Sequence, residues 1–229
     1  MELLRSVLKN LPEFQELTAA LEGGKSPAAV SGLAAVHRAH FAAALGQETG
    51  RPVVVVCADE GEAGRMARDL SYLTGGEVPV LASRSFVFHS IATVSRQWEH
   101  RRLDLLWRLR RGELPCLVAT VEALQQRTLP PQVLDSACTV LEPGQQADLN
   151  RLTEALAAAG YVRCDQVEGA GQFALRGGIL DVYSPGMAAP VRAEFWGDEL
   201  DTMGTFDPST QRRTENVDRA VLLPAAETL

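Results

Sequence analysis

Residues 171–208 read GQFALRGGILDVYSPGMAAPVRAEFWGDELDTMGTFDP, with turn signals at Gly177-Gly178, Ser184-Pro185-Gly186, Gly197-Asp198 and Asp207-Pro208. Gly, Pro and Asp supply the dihedrals that tight turns demand, so the short alternating segments between them predict an antiparallel meander. Successive side chains on a strand point to opposite faces. From Val191 to Trp196, this places Val191, Ala193 and Phe195 on one face and Arg192, Glu194 and Trp196 on the other. Arg176 shares its face with Gln172 and Ala174, opposite Phe173 and Leu175. Arg and Glu together predict a solvated side, and a Trp flanked by Arg there has the composition of a binding hot spot. The same spacing also fits a Trp that caps the sheet edge with Arg192 stacked on it.

Outward from this stretch, the chain has 229 residues, 46% of them apolar, which suits one large domain or two modest ones; two are expected. The formal charge of −7 is uneven: residues 1–134 carry 15 basic and 14 acidic side chains, residues 135–229 carry 7 and 15. Following a phosphate backbone requires clustered Lys and Arg to displace counterions, so the acidic second half points to a basic protein partner rather than DNA. Cys57, Cys116, Cys138 and Cys164 form no C-x-x-C pair and sit mostly in apolar runs, the pattern of reduced cysteines in a cytoplasmic protein. No apolar run nears the roughly 20 residues that span a bilayer, and the N-terminus lacks a signal-peptide pattern. A soluble, cytoplasmic protein is expected.

Residues 1–22 have helical spacing broken at Leu11-Pro12, and Gly23-Gly24 ends them. Gly24-Lys25-Ser26 matches the end of a phosphate loop, but Ala19 stands where the first Gly belongs, and a helix precedes it instead of a strand. Ala28–Val30, then Ser31-Gly32-Leu33, then an alanine-rich helix through Leu45 give strand, turn and helix in phosphate-loop order. Ala34, Ala35 and Val36 replace the lysine and hydroxyl chemistry. His37 and His40 are three apart on that helix with no third ligand identifiable, as ordinary surface histidines would be. Val53–Ala58 is a continuous apolar run that predicts a strand buried on both faces. Asp59 and Glu62 form a capping box for a helix whose stripe is Ala63, Met66, Ala67 and Leu70. Val78–Leu81, a helix from Thr93 to Arg111 and Cys116–Thr120 continue an alternation that predicts a parallel sheet with helices on both faces.

The helix over 93–111 carries Arg96, Arg101, Arg102, Arg108, Arg110 and Arg111 with Trp98 and Trp107. Basic residues between aromatics can bind nucleic acid. Here, however, Val94, Trp98, Leu105 and Leu109 form a stripe, and Glu99, Asp104 and Glu113 intersperse opposite charge, which favours a solvated helix or a domain contact. Pro130-Pro131 marks a domain boundary. After it come a strand at Cys138–Leu141, a turn at Pro143-Gly144 and a helix capped by Asp148 with Leu149, Leu152 and Leu156 inward, ending at Gly160. The meander follows, and Val221–Pro224 reads as a last short strand.

The run of Phe173, Arg176-Gly177-Gly178-Ile179-Leu180-Asp181, Pro190-Val191-Arg192, Glu194-Phe195, Gly197-Asp198-Glu199 and Phe206-Asp207-Pro208 resembles the second domain of bacterial transcription-repair coupling factors, which recurs in the excision-repair helicase UvrB. The resemblance implies an α/β chain: a degenerate RecA-like, helicase-like parallel-sheet domain without a functional phosphate loop over 1–134, interrupted by an inserted α+β antiparallel-sheet domain over 135–223. Residues 224–229 would begin the return to the first domain. It also implies a non-catalytic module that recruits the repair protein UvrA, needs no cofactor or metal, and leaves RNA polymerase and DNA to other domains of a longer protein. The family's UvrA contacts map onto Arg176, Arg192 and Trp196. The two arginines would pair with acidic groups on the partner and the indole would fill an apolar pocket. The alternative, a UvrB-like nucleotide-dependent DNA-binding helicase lobe, requires a phosphate loop and a DNA-gripping hairpin. Residues 82–112 read instead as one helical connection, and Asp198-Glu199 lies in a hairpin turn.

Overall fold

The computed structural model describes residues 7–83 and 96–227. In chain order the elements are α1 (Pro12–Glu22), α2 (Ala35–Thr49), β1 (Val53–Cys57), α3 (Glu60–Thr74), β2 (Val80–Leu81), α4 (Gln97–Arg110), β3 (Cys116–Thr120) and α5 (Val121–Gln125). Then follow α6 (Pro131–Ala137), β4 (Thr139–Leu141), α7 (Leu149–Ala158), β5 (Val162–Arg163), β6 (Gln172–Arg176), β7 (Ile179–Tyr183), β8 (Val191–Trp196), β9 (Glu199–Phe206), β10 (Arg213–Asn216) and β11 (Ala220–Leu222). The chain divides into two units, residues 1–86 with 112–127 and residues 87–111 with 128–229.

The first unit is built on a parallel sheet of order β1-β3-β2. Its best-specified helix is α3. Asp59 Oδ1 accepts from the Glu62 amide at 2.8 Å, Glu62 Oε2 accepts from the Ala58 amide at 3.2 Å, and Gly75 closes the helix in the left-handed conformation at φ 77°. Ala63, Met66, Ala67 and Leu70 then pack with Ala39, Cys57, Cys116 and Val118 as one core, against which Val53 and Val55 also lie. Two expectations fail in this unit. Residues 28–30 form no strand and stand exposed. Strand β1 is not buried on both faces either: it is an edge strand, and Val54 and Val56, opposite the helix-covered side, are half-exposed.

The second unit holds a six-stranded sheet of order β10-β9-β8-β7-β6-β5, antiparallel throughout except where β5 runs parallel to β6. The meander is therefore present and is extended by one strand at each end. Gly177 (φ 61°) and Gly197 (φ 62°) take the positive dihedral at the first central position of the two-residue loops joining β6 to β7 and β8 to β9, a geometry that matches the twist of the flanking strands. One sheet face carries Phe173, Leu180, Val182, Val191, Ala193, Leu200 and Met203, and these pack with Leu152 and Leu156 of α7. Asp148 caps α7 by accepting from the amides of Asn150 and Arg151 at 2.8 and 3.3 Å.

The division departs from the expected 1–134, 135–223 and 224–229 in three places, the first being that the main segment of the second unit begins at 128 instead of 135. Helix α4 belongs to the second unit, and so does the described part of the segment expected to return to the first. His100 Nε2 of α4 lies 3.2 Å from the Ala225 carbonyl, Arg102 Nε donates to Glu227 Oε1 at 2.9 Å, and the Glu227 amide donates to Glu99 Oε1 at 2.7 Å. Close approach requires glycine: a Cβ on Gly171 would lie 2.9 Å from His100 Cε1 and one on Gly186 2.4 Å from Asp104 Oδ1. These contacts turn His100, Leu103 and Leu105 inward and leave Leu109 exposed, so the expected stripe is displaced; Thr93 and Val94 lie outside the described residues. Burial lowers the His100 pKa. Among the described residues no helix is long and apolar enough to cross a membrane.

Strand β11 pairs antiparallel with β4, and the chain beyond it is stitched into the core. The Leu223 amide donates to Ser184 Oγ at 2.8 Å, the buried Tyr161 hydroxyl donates to the Leu223 carbonyl at 2.5 Å, and the Ala225 amide donates to the Ala159 carbonyl at 2.8 Å. Removing the donor from a buried carbonyl leaves it unsatisfied. Tyr161→Phe should therefore lower the unfolding free energy of the second unit by about 1–3 kcal/mol in urea denaturation; an unchanged midpoint would contradict this role.

Candidate functional site

The sheet face opposite α7 is organised by a carboxylate. Register places Asp181 of β7 between Ala174 of β6 and Arg192 of β8, and its side chain is fully buried. Arg192 grips it with two hydrogen bonds, Nε to Oδ1 at 2.7 Å and Nη2 to Oδ2 at 2.9 Å. Arg176, at the end of β6, donates Nη2 to Oδ2 at 2.7 Å. Paired, charge-assisted bonds of this kind are what make a buried carboxylate tolerable. The Arg192 guanidinium also donates Nη1 to the Gln211 carbonyl at 3.2 Å and lies 4.7 Å from the Phe206 ring centroid. Its hydrogen bonds to Asp181 raise its pKa further above the usual arginine range.

One end of this face is roofed, which corrects the expectation of a solvated side. Val167, Ala174 and Phe206 form a small buried cluster with Cys164 and Tyr183 against it. The turn after β9 completes the cover. Asp207 Oδ1 accepts from the amides of Ser209 and Thr210 at 2.7 and 2.9 Å, bonds that lower its pKa. Gln211 adopts φ 60°, rare for a residue with a side chain, and donates Nε2 to the Val167 and Pro208 carbonyls at 3.2 and 2.7 Å. The Arg192 side chain is left only 18% exposed, against 52% for Arg176.

The other end is open, and Trp196 stands there at 87% exposure. It does not cap a sheet edge, because β8 lies between β7 and β9, and Arg192 stacks on Phe206 instead of the indole. A register shift sets this outward position: Glu194 pairs with Thr202 but Phe195 with Leu200, so Asp201 is the extra residue of a bulge. Phe195 packs against the core, and its amide donates to the Gly178 carbonyl at 2.7 Å. Ile179, across from Glu194, is partly exposed on the same face. Glu194 is engaged by Arg213 Nη1 at 3.0 Å.

The structure thus joins Arg176 and Arg192 through Asp181 and leaves Trp196 on the same face at the open end. Sequence reasoning quotes Asp181 and Phe206 as motif residues without giving them a role in the site, and does not reach Gln211. Asp181 had a readable signal, since a carboxylate alternating with Ile179 and Tyr183 inside a central strand demands a cationic partner. Elsewhere, Gly24-Lys25-Ser26 follows α1 in an exposed loop, and His37 is exposed on α2. Among the described residues no group of three or more His, Cys, Asp or Glu could hold a metal ion. On α4, Arg102 is buried on Glu227, Arg110 pairs with Asp135 at 3.0 Å and Arg108 approaches Asp104 at 3.9 Å, so these three cations face acidic groups of their own unit.

Two substitutions separate the halves of the face. Trp196→Ala removes an exposed side chain and should change stability by no more than about 0.5 kcal/mol. Arg192→Ala strips a buried carboxylate of its bidentate partner and should cost about 3 kcal/mol; chemical denaturation of both variants showing equal effects would contradict the assignment.

Residues 140–227 match the family model described as the UvrB interaction domain. The whole chain is similar to proteins named transcription-repair-coupling factor. That of Myxococcus xanthus is 35% identical over 211 residues, covering 86% of this chain and 17% of the relative. That of Bacillus subtilis is 29% identical over 228 residues, 99% of this chain and 19% of the relative. That of Escherichia coli is 31% identical over 189 residues, 82% and 16%. The chain therefore spans less than a fifth of the length of these relatives. With the meander, its two hairpin glycines and the Arg-Asp-Arg cluster all inside the matched region, the chain belongs among the homologues of the transcription-repair-coupling factors, and its residues 140–227 belong to the UvrB interaction domain family.

Proposed function

We propose that this chain is a non-catalytic recruitment module of a transcription-repair coupling factor, and that the open end of its six-stranded sheet docks onto the excision-repair protein UvrA. The observation that carries the reading is Trp196, 87% exposed at the end of a central strand inside the matched region. A large aromatic side chain held in water by a rigid sheet presents much apolar area at little further ordering cost, as binding anchors do. Half-exposed Arg176 on the same face supplies the charge that pairs with an acidic group of the partner. Arg192 contributes from beneath, through Asp181 and Phe206.

The first unit is read as a degenerate RecA-like lobe that serves as a scaffold and binds no nucleotide. The contribution of this module is to bring UvrA to stalled transcription complexes, while RNA polymerase and DNA are engaged by other parts of the longer protein. A titration of the chain against UvrA tests the reading. Trp196→Ala should weaken binding by at least ~2 kcal/mol, roughly thirtyfold, with a wild-type melting curve, and Arg176→Ala should weaken it as well in a chain that stays folded, because Arg192 still holds Asp181. Affinities within twofold of wild type for both variants would overturn the site, and measurable ATP binding by the chain would reopen the helicase reading.

A further inference from the structure

We infer that Asp181 is a positioning residue of the docking face: it holds the Arg176 guanidinium in the orientation that meets the partner and fixes Arg192 as an internal strut instead of a contact. The inference rests on the UvrA-docking reading of the same face. Three hydrogen bonds of 2.7, 2.7 and 2.9 Å converge on one fully buried carboxylate. The two arginines are not equivalent. Arg192 has Nε and Nη2 on Asp181, Nη1 on the Gln211 carbonyl and its guanidinium near Phe206, so each of its three nitrogens already holds a hydrogen bond within the chain, and its side chain is only 18% exposed. Arg176 is bound to Asp181 through Nη2, and half of its side chain is in water.

A guanidinium carries five N–H donors in a planar fork. Tethering Nη2 restrains where the guanidinium sits while other donors stay available to a carboxylate arriving from outside, and a long side chain restrained before binding loses less freedom during it. The charges give the partner's chemistry. Arg176 and Arg192 share one anion, which leaves about one unit of positive charge at the junction of the roofed and open ends, and neighbouring Glu194 is already engaged by Arg213. The complementary surface therefore presents a carboxylate to Arg176 beside an apolar recess for Trp196.

The test compares the wild-type chain with Asp181→Asn, Arg176→Ala, Trp196→Ala and the Asp181→Asn/Arg176→Ala double variant, by UvrA titration and by NMR of the arginine side chains. Asparagine keeps the shape and removes the charge. In the free wild-type chain, Arg176 should show separate, slowly exchanging Nη resonances. In Asp181→Asn these should collapse to the averaged signal of a free arginine, and UvrA affinity should fall tenfold or more. In the Arg176→Ala background, Asp181→Asn should cost less than threefold, because the side chain it orients is gone. A loss of equal size in both backgrounds would mark a purely structural role and overturn the inference, as would an Asp181→Asn affinity within twofold of wild type. If Asp181→Asn does not fold, the wild-type spectrum decides: separate Nη resonances support the inference and one averaged signal overturns it. A wild-type chain that does not bind UvrA overturns the docking reading and the inference with it. Trp196→Ala losing affinity while Asp181→Asn keeps it overturns the inference alone.

Discussion

A carboxylate at the centre of a six-stranded sheet constrains everything around it. An uncompensated buried charge costs several kcal/mol, so β6, β7 and β8 must be aligned to bring Arg176 and Arg192 to Asp181. The row Ala174, Asp181, Arg192 and Gly204 crosses four strands in register. At one end of the row Ala174 packs with Phe206, and at the other a Cβ on Gly204 would meet Arg213 at 2.4 Å. A slip of β8 by one residue would turn Arg192 into the α7-covered core, away from Asp181. The ion cluster thus adds a register constraint to that set by the apolar face of Phe, Leu, Val, Ala and Met.

The cluster also separates closed from open surface. Toward the end of β9, Val167, Phe206 and the turn carrying Gln211 exclude water and hold Arg192. Toward the β8–β9 hairpin nothing among the described residues covers Trp196, and the bulge at Asp201 keeps Phe195 inward while the indole points out. Rigidity on one side and exposure on the other suit a surface that meets a partner with little rearrangement. Half-exposed Arg176 stands at the boundary, tied inward through one nitrogen.

Much of this was legible in the chain. Turn residues gave the meander, because only glycine accepts the positive dihedrals at Gly177 and Gly197 without strain. Asp59 and Asp148 announced their helices as caps, since a side-chain oxygen there can satisfy an orphan amide. Alternation correctly separated Arg192 and Trp196 from the core face. It could not show the roof, which is contributed by loops at 164–169 and 207–211 that have no periodicity of their own. Nor could it place α4: of the stripe predicted from Val94, Trp98, Leu105 and Leu109, Leu105 is buried but Leu109 is displaced by a face that includes His100 and Arg102, because the tertiary partners at Gly171, Gly186, Ala225 and Glu227 lie far along the sequence. Strand β1 was misjudged because an apolar run records capacity for burial, whereas an edge position leaves Val54 and Val56 half in water.

Hydrogen–deuterium exchange of the chain with and without UvrA reads the docking face without altering any residue. Peptides covering Arg176–Ile179 and Glu194–Glu199 should gain protection on binding, while those covering the already buried α7 and the first unit stay unchanged. Protection confined to the first unit or to α4, with the β6–β7 and β8–β9 hairpins unaffected, would contradict the account.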